Sequence, residues 1–324
     1  MPNLNSDYRS LIHTPADLAV EFIDYAEMLR TSPGVQWGVP SMDRVIIPMH
    51  PGDVVGIIAR PGHGKSTLSA YLARHTAKKL SENKRDDRAV VYVTFEQSVE
   101  EIEAMFQVDE ASGLSVTDIA WGKADIEDLR RRSVKRLSLP VAMIGKSQSR
   151  RKRTPRMTVE NVYNALRTFE DDYKVKPELI VLDYIQIIPV EGARDRTTQV
   201  GEAITASKEL ALDCGCPVVI AVQAKADVDK YDLKIPSAGD TQWASAIGQV
   251  CDKEIGMWRP VLTEPENAVL DIGDNKQIKV TQNLMIARLS KQRMASAGHT
   301  FVLNFAPEYV RLADMELRYA DLNA

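Results

Sequence analysis

The chain has 324 residues, of which 44% are hydrophobic and 27% are charged, and its formal net charge at pH 7 is −4. This length is enough to bury a full hydrophobic core without disulfides or structural metals. No apolar run approaches the roughly 18 residues that cross a bilayer, and the amino terminus lacks the basic start and apolar core of a signal peptide. We therefore expect a cytoplasmic protein without membrane contact, in which any binding of nucleic acid comes from local basic patches.

The first predicted element is an amphipathic helix over residues 15–30. Its apolar side chains recur on one stripe with acidic residues opposite, and Thr14 followed by Pro15 forms a typical helix start. The next stretch, "TSPGVQWGVPSMD" at residues 31–43, contains two prolines and two glycines and predicts a linker. These features predict a helix and linker over residues 1–35 and a separate domain over residues 36–324.

From residue 52 onward, short apolar runs alternate with helical stretches, which predicts an α/β fold with a mostly parallel sheet covered by helices on both faces. Two later runs, residues 283–293 and 299–305, are joined by a turn around Ala297 and Gly298 and predict a carboxyl-terminal antiparallel extension. The other predicted strands cover residues 54–59, 89–95, 139–144, 178–184, 216–222 and 253–258, and the helices lie near residues 65–80, 98–107, 158–172 and 197–213.

The segment "ARPGHGKST" at residues 59–67 has the pattern of a phosphate-binding loop, except that Ala59 stands where the first glycine is expected. Such a loop binds nucleotides because its backbone N–H groups surround the phosphates, a lysine reaches the β and γ phosphates, and a hydroxyl coordinates Mg²⁺. The positive end of the helix that follows adds to the same site. We predict that ATP binds to Arg60, Pro61, Gly62, His63, Gly64, Lys65, Ser66 and Thr67.

Three polar residues end other predicted strands of the sheet. Asp183 ends "LIVLD", the form of a strand whose carboxylate meets Mg²⁺ beside Ser66, and Glu96 ends "VVYVTFE", where a carboxylate can activate water. Gln223 ends "PVVIAVQ", and its amide is suited to sense the γ phosphate. Because a parallel sheet places its ligands at the carboxyl ends of its strands, the three residues together predict a site of ATP hydrolysis.

Taken in order, these segments resemble the RecA-like motor domain of the DnaB-family replicative helicases. The resemblance runs from about residue 36 to residue 312 and rests on "WGVPSMDRVIIPMHPGDVVGIIARPGHGKST", "VTFEQS", "LIVLDYIQII", "CPVVIAVQ", "GDTQWASAIGQVCDKEIGMW" and "ARLSKQR". The family commonly has alanine at the position of Ala59, so the missing glycine is compatible with ATP binding.

The resemblance implies a homo-oligomeric ring, usually hexameric, with ATP and Mg²⁺ between neighbouring subunits. It implies that Lys291 and Arg293 reach the phosphates bound by the adjacent subunit, where a cation supplied in trans stabilises the transition state. From the residue pattern alone, "SKQR" would instead be a solvated basic turn between two strands. The residues that the resemblance implies act in cis are Lys65, Ser66, Glu96, Asp183 and Gln223.

The sequence also departs from the family pattern. We expect the chain to lack the family's large amino-terminal helical domain, and the resemblance implies that the 15–30 helix docks on the neighbouring subunit as the family's linker helix does. In the DNA-facing loop, Gln242 stands where the family usually has arginine, which weakens a phosphate contact. Trp243 stands where the family usually has glutamate, and an indole can stack on a base.

A basic run, "KSQSRRKRTPR" at residues 146–156, has six Lys or Arg in eleven positions and no acidic residue. It lies between a predicted strand and a predicted helix, which predicts a loop. The run looks longer and more basic than its counterpart in the family. We therefore predict nucleic-acid contacts at Arg150, Arg151, Lys152 and Arg153.

Two hypotheses of function follow. The first is an ATP-driven helicase that moves on single-stranded DNA, with a primase, a loader or another replication or mobile-element protein as partner. The second is a RecA-type ATPase ring that does not unwind DNA but switches or recruits a partner protein on it, in recombination, transposition or defence. The altered DNA-facing loop and the mildly acidic composition favour the second, whereas the ordered motifs and the basic run favour the first.

Overall fold

The computed structural model describes residues 12–150, 154–188, 196–273 and 276–316. The chain divides into two compact units, Met1–Gly34 and Val35–Ala324. Within the described residues, no helix is long and apolar enough to cross a membrane.

The first unit contains helix α1, Pro15–Thr31, which confirms the predicted helix. Thr14 caps it, because the Thr14 hydroxyl accepts a hydrogen bond from the Asp17 N–H and the Asp17 carboxylate accepts one from the Thr14 N–H. None of the α1 side chains is buried, and that of Phe22 is 66% exposed. The helix therefore presents an apolar stripe to solvent.

The second unit contains eight helices and eleven strands in the described residues. The helices are α2 (Pro40–Asp43), α3 (Lys65–Glu82), α4 (Val99–Gln107), α5 (Val116–Ala120), α6 (Ile126–Arg136), α7 (Val159–Tyr173), α8 (Arg196–Asp213) and α9 (Ala244–Val250). The strands are β1 (Val54–Ala59), β2 (Arg88–Thr94), β3 (Val141–Ile144), β4 (Lys176–Asp183), β5 (Val218–Gln223), β6 (Lys253–Trp258), β7 (Val269–Asp271), β8 (Gln277–Lys279), β9 (Leu284–Gln292), β10 (Thr300–Ala306) and β11 (Arg311–Asp314).

Nine of these strands form one sheet in the order β11-β10-β9-β6-β1-β5-β4-β2-β3. The six strands from β6 to β3 run parallel, and β9, β10 and β11 extend the sheet in antiparallel fashion. This arrangement confirms the predicted α/β fold with a mostly parallel sheet and a carboxyl-terminal antiparallel extension. Below, the carboxyl edge is the edge where β1, β2, β4 and β5 end, and the amino edge is the one where they begin.

Both faces of the sheet are buried, as the continuous apolar runs predict. Val55 and Ile57 of β1 pack in the cluster that contains α3 and α4, whereas Val54 and Ile58 pack in the cluster that contains α7, α8 and α9. This alternation follows from the two-residue period of a strand, which sends successive side chains to opposite faces.

The predicted linker at residues 31–43 is wrong from Val35 onward. Val35 pairs with Met49 in an isolated bridge, and Trp37 and Val39 are buried in the core. The N–H groups of Trp37 and Gly38 donate to the Asp43 carboxylate, which fixes a tight turn before α2. The prolines and glycines therefore shape a packed turn, and the apolar residues between them supply its burial energy.

Candidate nucleotide and nucleic-acid site

The loop between β1 and α3 has the backbone shape of a phosphate cradle. Gly62 and Gly64 have φ values of 77° and 90°, in the left-handed region that favours glycine. A Cβ on Gly64 would lie 2.6 Å from the Phe305 ring, so a side chain there would also clash. Lys65 opens α3, and its Nζ donates to the Arg60 carbonyl at 3.3 Å. The Arg60 guanidinium is in turn paired with the Asp229 carboxylate at 3.1 Å.

The predicted polar residues come together at the carboxyl edge. Strands β1, β5, β4 and β2 are adjacent in this order, so their ends form one continuous row. Ala59, before the loop, is paired with Gln223, and Thr94, shortly before Glu96, is paired with Asp183. Glu96 and Gln223 are exposed there, as residues that act on a bound substrate need to be.

Asp183 is the most buried carboxylate of this row, with 4% exposure. The Tyr92 hydroxyl donates to its Oδ2 at 2.6 Å, whereas its Oδ1 is buried without a hydrogen-bond partner among the described residues. Burial raises the pKa of Asp183, and the hydrogen bond from Tyr92, the adjacent Ser66 hydroxyl and the charge of Lys65 oppose that increase. Tyr92 was not identified from the sequence, because a tyrosine inside an apolar strand resembles any other core residue.

Lys65 lies close enough to Asp183 and Glu96 for their charges to affect its pKa. Burial lowers the pKa of the Lys65 ammonium, and the charges of Asp183 and Glu96 act against this decrease. The result is a half-buried cation beside one buried and one exposed carboxylate, which is the charge pattern that a Mg²⁺–triphosphate complex would complete.

The residues present fit a magnesium ion held jointly with nucleotide. The described residues contain no cluster of three or more His, Cys, Asp or Glu side chains that could hold a metal ion on its own. Mg²⁺ typically binds one or two carboxylates and keeps its other positions for phosphate and water. The unpartnered Oδ1 of Asp183, with Ser66 beside it, supplies such a partial set of ligands.

The other predicted residues of the loop differ in their exposure to solvent. Pro61 and Gly62 are exposed at the tip, and Ser66 and Thr67 are half-buried in the first turn of α3. His63 is buried, and its Nδ1 accepts a hydrogen bond from the Arg259 N–H at 3.1 Å. Burial, and then the charges of Arg259, Lys65 and Arg60, lower the pKa of His63 to about 4. The His63 ring therefore supports the loop from beneath.

Lys291 and Arg293 lie at the amino edge of the sheet. Lys291 is paired with Glu254 of β6, and the neighbouring pair Gln292–Lys253 lies level with Val55 at the start of β1. With a rise of about 3.3 Å per residue, β1 separates the two edges by roughly 17 Å. The structure thus does not bring Lys291 and Arg293 into the same site as Lys65, and within the chain both side chains contact the end of α9.

The turn at Gln242 and Trp243, which the resemblance predicts to face DNA, lies beside the carboxyl edge. Gln242 is exposed, whereas the Trp243 indole is half-buried and packs against the cluster that contains α7 and α8. Both residues line a cavity of about 330 Å³ together with Arg60 and Gln223. Gln186, which was not identified from the sequence, also lines this cavity and donates from Nε2 to the Gln223 carbonyl at 3.2 Å.

The described part of the basic run forms a loop, as predicted, and Arg150 is exposed in it. Glu100 of α4 holds the start of this loop: its carboxylate accepts hydrogen bonds from the Ser147 hydroxyl, the Gln148 N–H at 3.0 Å and the Ser149 hydroxyl at 2.6 Å. These bonds hold the pKa of Glu100 well below its usual range. The predicted contacts Arg151, Lys152 and Arg153 lie outside the described residues.

The family of this chain follows from its similarity to known proteins. The family model described as the DnaB-like helicase C terminal domain matches residues 34–314. The chain belongs to this family. The resemblance inferred from the motifs is therefore confirmed.

Two curated relatives are replicative DNA helicases of bacteria. The chain is 25% identical over 309 residues to the replicative DNA helicase DnaB of Geobacillus stearothermophilus and 23% identical over 311 residues to the replicative DNA helicase DnaC of Bacillus subtilis (strain 168). Each match covers 94% of this chain but only 62% and 63% of the relatives, so the chain spans about three fifths of their length.

Two solved structures share the fold of this chain. The ATPase domain of G40P matches 92% of this chain and 99% of its own with a TM-score of 0.72 at 17% identity. A DnaB-like replicative helicase, described with its interactions with primase, matches 97% of this chain and 68% of its own with a TM-score of 0.71 at 18% identity. These likenesses support the RecA-like architecture of this DnaB-like domain.

Proposed function

We propose that this DnaB-like domain is the motor of a ring-shaped, ATP-hydrolysing helicase that moves along single-stranded DNA. One observation carries the proposal: the loop, the carboxylates and the glutamine suited to ATP hydrolysis meet at the carboxyl edge, while the cations suited to complete such a site lie at the amino edge. The naming of the curated relatives as replicative DNA helicases supports the same activity.

Each residue at the carboxyl edge has a role in this proposal. The backbone of residues 60–64 and the Lys65 ammonium bind the phosphates, and Ser66 and Asp183 hold Mg²⁺, which neutralises phosphate charge when bound. The exposed carboxylate of Glu96 orients the attacking water and accepts its proton. Gln223 contacts the γ phosphate and thereby senses hydrolysis.

The separation of the two edges supports a head-to-tail assembly. Lys291 and Arg293 lie towards the amino edge, which the length of β1 separates from the carboxyl edge by roughly 17 Å, so we propose that they complete a site in another copy. When the carboxyl edge of one subunit faces the amino edge of the next, the contact is heterologous and forms a ring if the rotation closes. We propose a hexamer, as in the family.

Helix α1 is suited to link neighbouring subunits in such a ring. Its apolar stripe, which includes Phe22, is exposed, and it carries four acidic residues and one basic residue. Helix α6 is complementary, since it carries five basic and two acidic residues and exposes Val134. We propose that α1 of one subunit packs on α6 of the next.

The proposed strand-binding surface includes Gln242 and the basic run around Arg150, with Arg151, Lys152 and Arg153 as further contacts by their charge. Neutralising phosphates with such residues gives binding that weakens steeply as salt concentration rises. A DnaB-like relative has been described with its interactions with primase. A primase is accordingly the partner that we propose for the assembled protein.

Strand displacement tests the proposal. The wild-type protein should displace one strand of a forked DNA only with ATP and Mg²⁺, and Lys65→Ala should abolish displacement because it removes the cation that binds the phosphates. Lys78→Ala, an exposed lysine of the same helix α3, is the matched control and should retain displacement. A ring that hydrolyses ATP but leaves the fork intact would contradict the proposal and favour an ATP-switched assembly that recruits a partner.

A further inference from the structure

Helix α9 connects the two edges of the sheet. At its amino-terminal end, Gln242 and Trp243 line the cavity that contains Gln223, and Thr241 forms a bridge with Ala224 just beyond β5. At its other end, α9 leads through Cys251 into β6 at the amino edge. With seven residues and a rise of about 1.5 Å per residue, the helix is about 10 Å long.

The last carbonyl groups of α9 are held by the two cations proposed to act in trans. Lys291 Nζ donates to the carbonyls of Gly248 at 2.5 Å and Cys251 at 2.7 Å. Arg293 Nη2 donates to the carbonyl of Gln249 at 2.9 Å. Carbonyls at a helix end lack intrahelical partners, and cations stabilise that end through the helix dipole. Lys291 and Arg293 therefore act as side-chain caps of α9.

Asp252 completes this arrangement. Its side chain is 6% exposed, and its Oδ1 lies 3.1 Å from Arg293 Nη1. Its Oδ2 accepts hydrogen bonds from Lys208 Nζ and the Val54 N–H, both at 2.8 Å. Asp252 thus keeps a buried ion pair with Lys208 if Arg293 leaves. Because the Arg293 side chain is 52% exposed, its departure costs little burial.

We propose that Lys291 and Arg293 are positioning residues for the DNA-facing turn at Gln242, and that they exchange α9 for the phosphates of the neighbouring subunit when that subunit binds ATP. The inference rests on the proposed function, because it requires both cations to serve an adjacent site. Arg293 must leave Asp252 to deliver a full positive charge, since a paired carboxylate cancels most of that charge.

This switch of contacts couples the nucleotide bound by one subunit to the DNA contacts of the next subunit. With the cations on α9, the helix is capped and holds Gln242 beside the cavity that contains Gln223. With the cations on the neighbour's phosphates, the carboxyl-terminal turn of α9 loses three contacts and frays. The position of Gln242 then depends on the adjacent ATP as well as on the subunit's own sensor.

Amide hydrogen exchange of residues 243–252 in assembled rings tests whether Lys291 and Arg293 leave α9. The ligand is a non-hydrolysable ATP analogue. In the wild type, the analogue should speed exchange roughly five- to tenfold, the ratio expected when a helix end loses two cationic caps. In Lys65→Ala rings, which cannot hold the phosphates, the analogue should have no effect. In Arg293→Ala, the amide hydrogens of residues 243–252 should exchange fast without any nucleotide. Arg288 is an exposed arginine of β9, the strand that ends just before Arg293, and its side chain contacts Thr300, so Arg288→Ala should respond like the wild type.

ATP hydrolysis measured on the same preparations distinguishes a failure of this inference from a failure of the proposed function. If Arg293→Ala lowers hydrolysis but the analogue leaves the exchange of residues 243–252 unchanged in the wild type, the inference is overturned and the proposed function stands. If Arg293→Ala hydrolyses ATP at the wild-type rate, or no ring assembles, both are overturned.

Discussion

At the scale of single residues, the buried carboxylate of Asp183 depends on Tyr92. The hydroxyl of Tyr92 stabilises the charged form of Asp183 against burial, through the 2.6 Å hydrogen bond to Oδ2. Without it, the pKa of Asp183 should rise further, and a protonated carboxyl is a poor ligand for Mg²⁺.

We therefore predict that Tyr92→Phe raises the Mg²⁺ concentration needed for half-maximal ATP hydrolysis by about tenfold, which corresponds to a hydrogen bond of about 1.4 kcal/mol to a charged group. Excess Mg²⁺ should restore the rate, because the variant retains every proposed ligand. Titration of hydrolysis against Mg²⁺ measures the effect. An unchanged half-maximal concentration would show that Tyr92 only fills space.

His63 should make the stability of the second unit depend on pH. Its folded pKa is lowered from 6.5 to about 4, so the folded state disfavours the protonated ring. The stabilisation from a neutral His63 is complete above pH 6.5 and is lost as the pH falls from 6.5 to about 4. The full loss is about 3 kcal/mol.

His63→Asn should lack this dependence, since an asparagine oxygen can accept the Arg259 N–H but does not titrate in this range. Urea denaturation of both proteins between pH 7.5 and pH 4 measures the difference. Stability curves that stay parallel over this interval would refute the assignment to His63.

The sequence predicted those site residues that belong to contiguous motifs. Lys65, Asp183 and Gln223 each follow or end a buried strand, so their approach to one edge follows from parallel pairing. Tyr92 and Gln186 were missed, because each contacts a residue at the end of a strand that is distant from it in the sequence, namely Asp183 and Gln223. Their pattern in the sequence is that of core residues, and only the register reveals the contact.

At the scale of elements, Glu100 ties the basic loop to the segment that carries Glu96. The Val99 N–H donates to the Lys146 carbonyl at 3.0 Å, and a Cβ on Gly145 would lie 2.5 Å from Thr94 Cγ2. The start of the loop is therefore packed directly on the turn between β2 and α4. Movement of the loop on binding a polyanion would be transmitted to this turn.

We predict that Glu100→Gln releases the loop, because a neutral amide cannot replace the charge-assisted hydrogen bonds from residues 147–149. Trypsin cleavage after Arg150 should become about tenfold faster, because the released loop populates open conformations more often. Glu127→Gln is the matched control, since this exposed glutamate of α6 pairs only with Arg130 in the same helix. Equal cleavage rates in the wild type and Glu100→Gln would contradict the anchoring role.

Long periodic elements were predictable and short ones were not. Strands β1 and β6 have the predicted bounds. Strand β1 consists of six consecutive apolar residues, which have few alternatives in an α/β chain. Helices α5, α6 and α9 were missed: α5 and α9 have only five and seven residues, and α6 is mostly charged, with Val134 exposed. Such elements are stabilised by tertiary contacts and caps more than by their own pattern.

At the scale of the whole molecule, the fold places the two halves of the proposed ATP site at opposite edges of the sheet. The carboxyl edge has the phosphate cradle, the proposed metal ligands and the proposed base. The amino edge has Lys291 and Arg293, whose side chains contact Asp252 and the carbonyl groups at the end of α9 in the described structure of the single chain. Assembly into a ring would join the halves.

The proposal that each ATP site is shared by two subunits is tested most directly by mixing two inactive variants. Lys65→Ala keeps Lys291 and Arg293 at the amino edge but loses the lysine that binds the phosphates at the carboxyl edge. Arg293→Ala keeps the phosphate-binding loop and Lys65 but loses the arginine of the amino edge. Each should hydrolyse ATP at least 100-fold more slowly than the wild type, as expected for loss of a phosphate-binding or trans-acting cation. When the two are mixed and allowed to exchange subunits, intact sites should form at interfaces of the right order and hydrolysis should reappear. A mixture that hydrolyses ATP no faster than the sum of its two components would contradict the shared site.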